Sequence, residues 1–207
     1  MKIKQGSLFS LWFFYYFCFM ILQNTNTEDK LSYCKEASDV QEPAFVEFIN
    51  GLNGLVTLKI NPDKEFDPYT HDLVVNGAPG DLKTQDTPFF KSETLYDIDP
   101  QWAITYNHKD YLRYKKKYTS VGKNVVLFFD VTRKDEVKYD VKTFPMRAIF
   151  YTKASDIEKM IENKEVPLHE YLNRKNDDQG NAKSSYVIDV RRFNMIYYSG
   201  KGFRLKI

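Results

Sequence analysis

The sequence predicts a mainly β fold: an antiparallel sheet or β-sandwich, α+β at its margin, with one short helix near residues 155–164. Three observations carry this. Short apolar runs are separated by Asn-Gly and Pro-Gly turn chemistry from residue 44 onward. Aromatic residues make up 16% of the chain, Tyr and Phe above all, and such rings fit a half-buried pleated surface. Only one segment combines a capping signal with helical spacing.

The elements follow in order. Lys2 and Lys4 precede an unbroken apolar run over residues 8–22, after which the chain turns polar at once. A basic start, an apolar middle of roughly 15 residues and a polar exit describe a secretory signal peptide, read here over residues 1–27, with a short type II membrane anchor as the alternative. The run falls short of the ~20 apolar residues that cross a bilayer. Residues 28–43 are polar with scattered apolar positions and read as a flexible arm. Residues 44–207 then read as one β-rich domain of secreted or lumenal type.

Within that domain residues 45–49 run into Asn50-Gly51 and Asn53-Gly54, and residues 55–60 alternate, which spells a hairpin because both turn residues accept positive φ. Residues 73–75 lead into a turn at 76–80; the rest of 61–86 reads as a long loop with at most one short strand. Residues 124–132 are apolar on both faces, which predicts a central strand; residues 133–136 make a turn, and Val137, Tyr139 and Val141 alternate with Lys138, Asp140 and Lys142 as its partner nearer solvent. Residues 146–152 add a third strand. Ser155 with Glu158 forms a capping box ahead of Ile157, Met160 and Ile161, and Pro167 closes the helix. A turn over 168–172, a polar loop over 174–185, and strands over 186–191 and 193–198 complete the chain.

Composition bounds the function. The 30 basic residues less Lys2 and Lys4 equal the 28 acidic ones. A balanced surface argues against nucleic acid as the main partner, since phosphate binding needs a surplus of Lys and Arg. Cys18 falls in the signal segment, leaving Cys34 as the one thiol of the mature chain. No internal disulfide follows, only an intermolecular one through Cys34 or a free thiol. The fold therefore rests on hydrophobic packing.

No nucleophile, metal or phosphate-loop motif is present, so no catalytic residue, metal ligand or cofactor is assigned. Three histidines, His71, His108 and His169, lie in separate polar stretches. Asp97 and Asp99 share one strand face, a pair able to hold a cation, yet Pro100 marks a turn.

One dense cluster remains over residues 102–118: Trp102, Tyr106, Tyr111, Tyr114 and Tyr118 interleaved with Arg113, Lys115 and Lys117. Rings among cations suit a protein partner, an anionic glycan or a lipid head group. The competing reading is a strand or amphipathic helix that buries its tyrosines and shows its lysines to water.

Residues 55–60, the Val56-Thr57-Leu58-Lys59-Ile60-Asn61 stretch, Phe89-Phe90-Lys91, Trp102, Tyr111 and residues 124–129 together resemble the FAINT domain of secreted piroplasm parasite proteins. Lys59 stands where that pattern has an acid. The resemblance spans residues 55–144 and implies a secreted protein without catalysis; it carries no site residues. The expectation for function is thus a secreted or vacuolar, non-enzymatic interaction protein presenting an aromatic and basic face. The alternatives are a lipid or small-ligand carrier with a barrel interior lined by Phe128 and Phe129, and a hydrolase whose site is assembled in space around His71 or His108.

Overall fold

The computed structural model describes residues 30–52, 56–67, 70–171 and 182–200, with side chains of the first helix described from Asp39 onward. The signal segment over 1–27 and the Asn53-Gly54 turn lie outside the described residues. The chain divides into two compact units, Met1–Ile60 and Asn61–Ile207.

In the first unit, helix α1 spans Lys30–Gly51 and is followed by strand β1, Leu58–Ile60. The flexible arm and the strand expected over 45–49 are both replaced by this helix. Phe45 and Ile49 stand four residues apart, share one helical face and are buried. Read in a window of five residues, the same run looks like a strand. Beyond the helix, the Asn50 side-chain amide donates to the Leu58 carbonyl and accepts from the Leu58 N–H, both at 2.9 Å. One amide thereby supplies both bonds of a missing strand neighbour.

The second unit carries two larger sheets and a ribbon. Strands β2 (Leu73–Val75), β3 (Ala78–Gln85), β5 (Val126–Arg133), β8 (Met146–Lys153) and β11 (Asn194–Gly200) lie side by side in that order. A three-stranded sheet has the order β4 (Ala103–Asn107), β10 (Ser184–Asp189), β9 (Leu168–Glu170). Strands β6 (Glu136–Lys138) and β7 (Val141–Thr143) form a separate two-stranded ribbon. Helix α2 (Ser92–Tyr96) precedes β4, helix α3 (His108–Lys117) follows it, and helix α4 (Ala154–Glu162) follows β8. The mainly β class holds, and among the described strands of the second unit pairing is antiparallel except that β3 and β5 run parallel, joined by the α2–β4–α3 excursion. A parallel pair needs such a crossover.

The loop expected over 61–86 instead contains a hairpin. Asn76 and Gly77 take φ of 48° and 85°, the two-residue turn that matches strand twist, and β2 pairs with β3. At Gly80 an added Cβ would sit 2.4 Å from Val75 Cγ2 and 3.3 Å from Leu73 Cβ, so glycine lets the two strands close. Strand β5 is central, as its apolar character predicts. It pairs with β8, not with residues 137–142. Residues 168–170 form edge strand β9 where a turn was expected. Ser155 lies inside α4 instead of capping it: the Asn124 side chain accepts from the Ser155 N–H at 3.2 Å and donates to Ser155 Oγ at 2.6 Å.

The core lies between the two larger sheets. Leu127, Phe129 and Val131 of β5 with Met146, Ala148 and Phe150 of β8 meet Ile104 and Tyr106 of β4 and Ile188 of β10; Phe129 packs against Phe193, the rings tilted by 31° with centroids 5.3 Å apart. The strand order is open, and Phe128 and Phe129, adjacent on β5, project to opposite faces, so the described strands enclose no barrel interior. Arg133, fully buried, donates to the carbonyls of Gln85 and Ala103 at 2.7 and 2.8 Å and ties the ends of β3, β4 and β5 together. Burial, only partly opposed by Asp86, pushes its guanidinium down to about 10. No helix among the described residues is long and apolar enough to cross a membrane.

Candidate interaction face

The aromatic and basic segment 102–118 folds as strand β4 running directly into helix α3, which sorts its side chains. Tyr106 on β4, Tyr114 on α3 and Tyr118 beyond it are buried, Trp102 lies at the core edge, and Tyr111 is half-buried against the core. The spacing Tyr111, Tyr114, Tyr118 puts all three on the inner helical face. Lys115 reaches Glu158 and Glu162 of α4 at 3.1 and 2.7 Å, and Lys117 stands 3.8 Å from Asp67. The tyrosines thus serve packing, and the cations are spent on neighbouring carboxylates.

Beneath α3 lies a charge cluster that the sequence did not announce. Asp81 and Lys83, two apart on β3, point to the same side. Lys83 Nζ sits 2.7 Å from Asp81 Oδ2 and 2.8 Å from Asp110 Oδ2, and Arg113 approaches the other Asp110 oxygen at 3.1 Å. Asp81 is 1% exposed. Burial raises its carboxyl above the usual carboxylate range, only partly opposed by Lys83. Burial alone would lower the Lys83 ammonium; Asp81, Tyr114 and Asp110 outweigh it and hold the group well above its ordinary value. Two anions and two cations balance, so the cluster is a strut between β3 and α3.

Each histidine sets its Nδ1 against a tyrosine hydroxyl: His71 on Tyr118 at 3.0 Å, His108 on Tyr186 at 3.1 Å, His169 on Tyr96 at 2.8 Å. Neither His71 nor His108 meets the Ser and Asp pairing expected of a hydrolase. Asp97 closes α2 in the left-handed region, φ 56°, and Asp99 accepts from the Gln101 N–H at 2.8 Å; both carboxylates belong to the turn.

Among the described residues, a group of exposed aromatic and basic side chains lies on the β6–β7 ribbon. Its register opposes Val137 to Lys142 and Glu136 to Thr143, and opposed residues share a face. Thr143, fully buried, points inward and donates to the Lys134 carbonyl at 2.9 Å. Val137 and Lys142 therefore point outward, with Phe144 two residues further along and Tyr139 at the tip. Val137, Tyr139 and Phe144 are 65%, 59% and 52% exposed. The tip residues Tyr139 and Asp140 have φ of 54° and 61°, a turn that favours Asn-Gly. The base is fixed: the Gln101 amide donates to the Phe144 carbonyl at 3.1 Å and accepts from its N–H at 2.8 Å.

Cations surround these rings. Lys91 and Lys138 lie 5.6 and 5.5 Å from the Tyr139 centroid, and Lys142 lies 5.1 Å from that of Phe144. Lys91 continues the face toward a half-buried aromatic group on α2 and β9, where Phe89 and Tyr171 flank His169 at 4.8 and 4.9 Å. Burial first, then Lys91, lowers the His169 imidazole. The signal for this face was present in residues 137–142. It was read as one alternating strand because Tyr-Asp is not a recognised turn pair.

Comparison with protein-family models, with curated proteins and with solved structures gave no match in any of the three.

Proposed function

We propose that this is a non-enzymatic interaction protein of the secretory route whose docking element is the outward face of the β6–β7 ribbon. The observation that carries the reading is three large apolar side chains on one ribbon face, each more than half exposed, in a chain that buries its other tyrosines of the 102–118 segment. Exposed apolar side chains contribute little to folding, and contiguous ones mark interaction surfaces. Tyr is enriched at such surfaces. A base clamped by Gln101 and Thr143 presents the tip with little freedom left to lose on binding. The likeness to the FAINT domain supports the same reading.

The test is photo-cross-linking from position 139 in the full chain, with and without Val137→Asp. The expected result is a discrete adduct that disappears in the variant while the melting temperature stays unchanged. An adduct indifferent to Val137→Asp overturns the assignment of the face. A lowered melting temperature shows Val137 to be structural. The secretory route is checked by N-terminal sequencing of the exported chain, which is expected to begin within or just after residues 24–27.

A further inference from the structure

The ribbon face carries charges of both signs in fixed places, and this narrows what it can hold. Lys91 and Lys138 flank the Tyr139 ring, and neither has an ion-pair partner among the described residues. Lys142 is already held by Asp135 at 3.2 Å. Asp140 stands beside Tyr139 at the tip; Glu136 and Lys138 root on the ribbon's other side, from which Lys138 Nζ reaches the Tyr139 ring. A uniform polyanion, whether a sulfated glycan, nucleic acid or an anionic lipid surface, brings negative charge to every point of the patch. It would meet Asp135 and Asp140 as well as the two free ammonium groups, and it would gain little net. A polypeptide places its charges singly. It can set carboxylates opposite Lys91 and Lys138, leave the carboxylate positions uncontested, and bring apolar side chains to Val137, Tyr139 and Phe144.

Building on the proposed docking role, we infer that the partner of this face is a protein segment with an apolar centre and acidic residues set against Lys91 and Lys138. The apolar centre supplies contact area, and the two lysines set register and reject wrong partners, the division of labour expected of charges at an interface rim. Tyr139 joins the two functions, since its ring is at once apolar surface and the platform on which both ammonium groups rest. Desolvation by a partner strengthens those cation–ring contacts.

The experiment is selection of a displayed random-peptide library on the full-length protein, with Val137→Asp protein as counter-selection. The recovered peptides are expected to carry apolar residues flanked by Asp or Glu. Lys91→Glu or Lys138→Glu, both exposed positions, is expected to weaken them about tenfold and to shift a repeated selection toward Lys or Arg, with the melting temperature unchanged. Peptides that depend on Val137 yet show no acidic preference overturn the inference and leave the docking face standing. Recovery of no peptide sensitive to Val137→Asp overturns both. Heparin or phosphatidylserine vesicles bound at low micromolar affinity through Lys91 and Lys138 overturn the choice of a polypeptide.

Discussion

Tyr139 holds a left-handed backbone that a bulky residue adopts at a cost of about 1 kcal/mol or more. Asn-Gly would fill the same two positions without strain. Retaining Tyr139 therefore fits a residue kept for its ring. Tyr139→Asn with Asp140→Gly is expected to raise stability by about 1 kcal/mol in urea titrations while abolishing binding of the peptides selected on the ribbon face. A loss of stability would show that the two lysine contacts outweigh the strain. Lys83 offers the converse case. Removing it as Lys83→Met strands the Asp81 carboxylate in the interior and is expected to cost about 3 kcal/mol. Without its cation the Asp81 carboxyl titrates still higher in the folded state than in the unfolded one, so the folded form holds that proton more tightly. The variant's deficit is then smallest in acid and grows as pH rises past about 4. Asp81→Leu combined with Lys83→Met is expected to recover most of the loss, since an apolar pair leaves no charge unpaired. Denaturant midpoints at pH 4 and pH 7 read both effects.

Side-chain amides recur where elements meet. Asn50 completes a strand edge for Leu58, Gln101 does so for Phe144, and Gln85 at the end of β3 donates to the Thr105 carbonyl at 3.3 Å and accepts from its N–H at 3.2 Å. Each lets a short strand satisfy its backbone without a full ladder. Helix α4 begins by a related device, because its cap comes from Asn124, which accepts from the Ser155 N–H thirty-one residues further along. Asn124→Ala is accordingly expected to cost about 1 kcal/mol, the usual effect of a lost cap, and Ser155→Ala distinctly less. Thermal melts of the two variants decide between the long-range cap and the local capping box. The ribbon also belongs at this scale: Thr143 and Gln101 hold its base, so its outward face is a rigid platform.

The three histidine–tyrosine contacts bridge segments distant in sequence: the stretch before β2 to the end of α3, the α3 start to β10, and α2 to β9. Burial lowers the imidazoles of His71 and His169 below their ordinary value. For a base depressed in the folded state the unfolded chain takes up protons first, so stability is full above about pH 6.5 and falls as pH drops from there through the folded-state values. Urea midpoints at pH 7.5 and 5.0 are expected to show this loss. His71→Gln and His169→Gln are each expected to flatten it, because a glutamine can keep a hydrogen bond to the tyrosine without titrating. An unchanged slope in both variants would place the acid sensitivity in the carboxylates.

The sequence by itself determined the β class, the central place of β5, the Asn76-Gly77 turn and the helix at α4, while it left open whether Tyr114 and Tyr118 turn inward or outward. Alternation, turn chemistry and helical spacing act over a few residues, so they are readable in a few residues. The parallel pairing of β3 with β5, the Asp81–Lys83–Asp110–Arg113 strut and the cap from Asn124 came only from the tertiary structure. In each, the partners lie far apart along the chain and neither one's local pattern names the other. The exposed ribbon face is the clearest instance. Segment 102–118 and segment 134–144 both mix aromatic residues with lysines, and which of them faces water was decided by where the sheets needed a core.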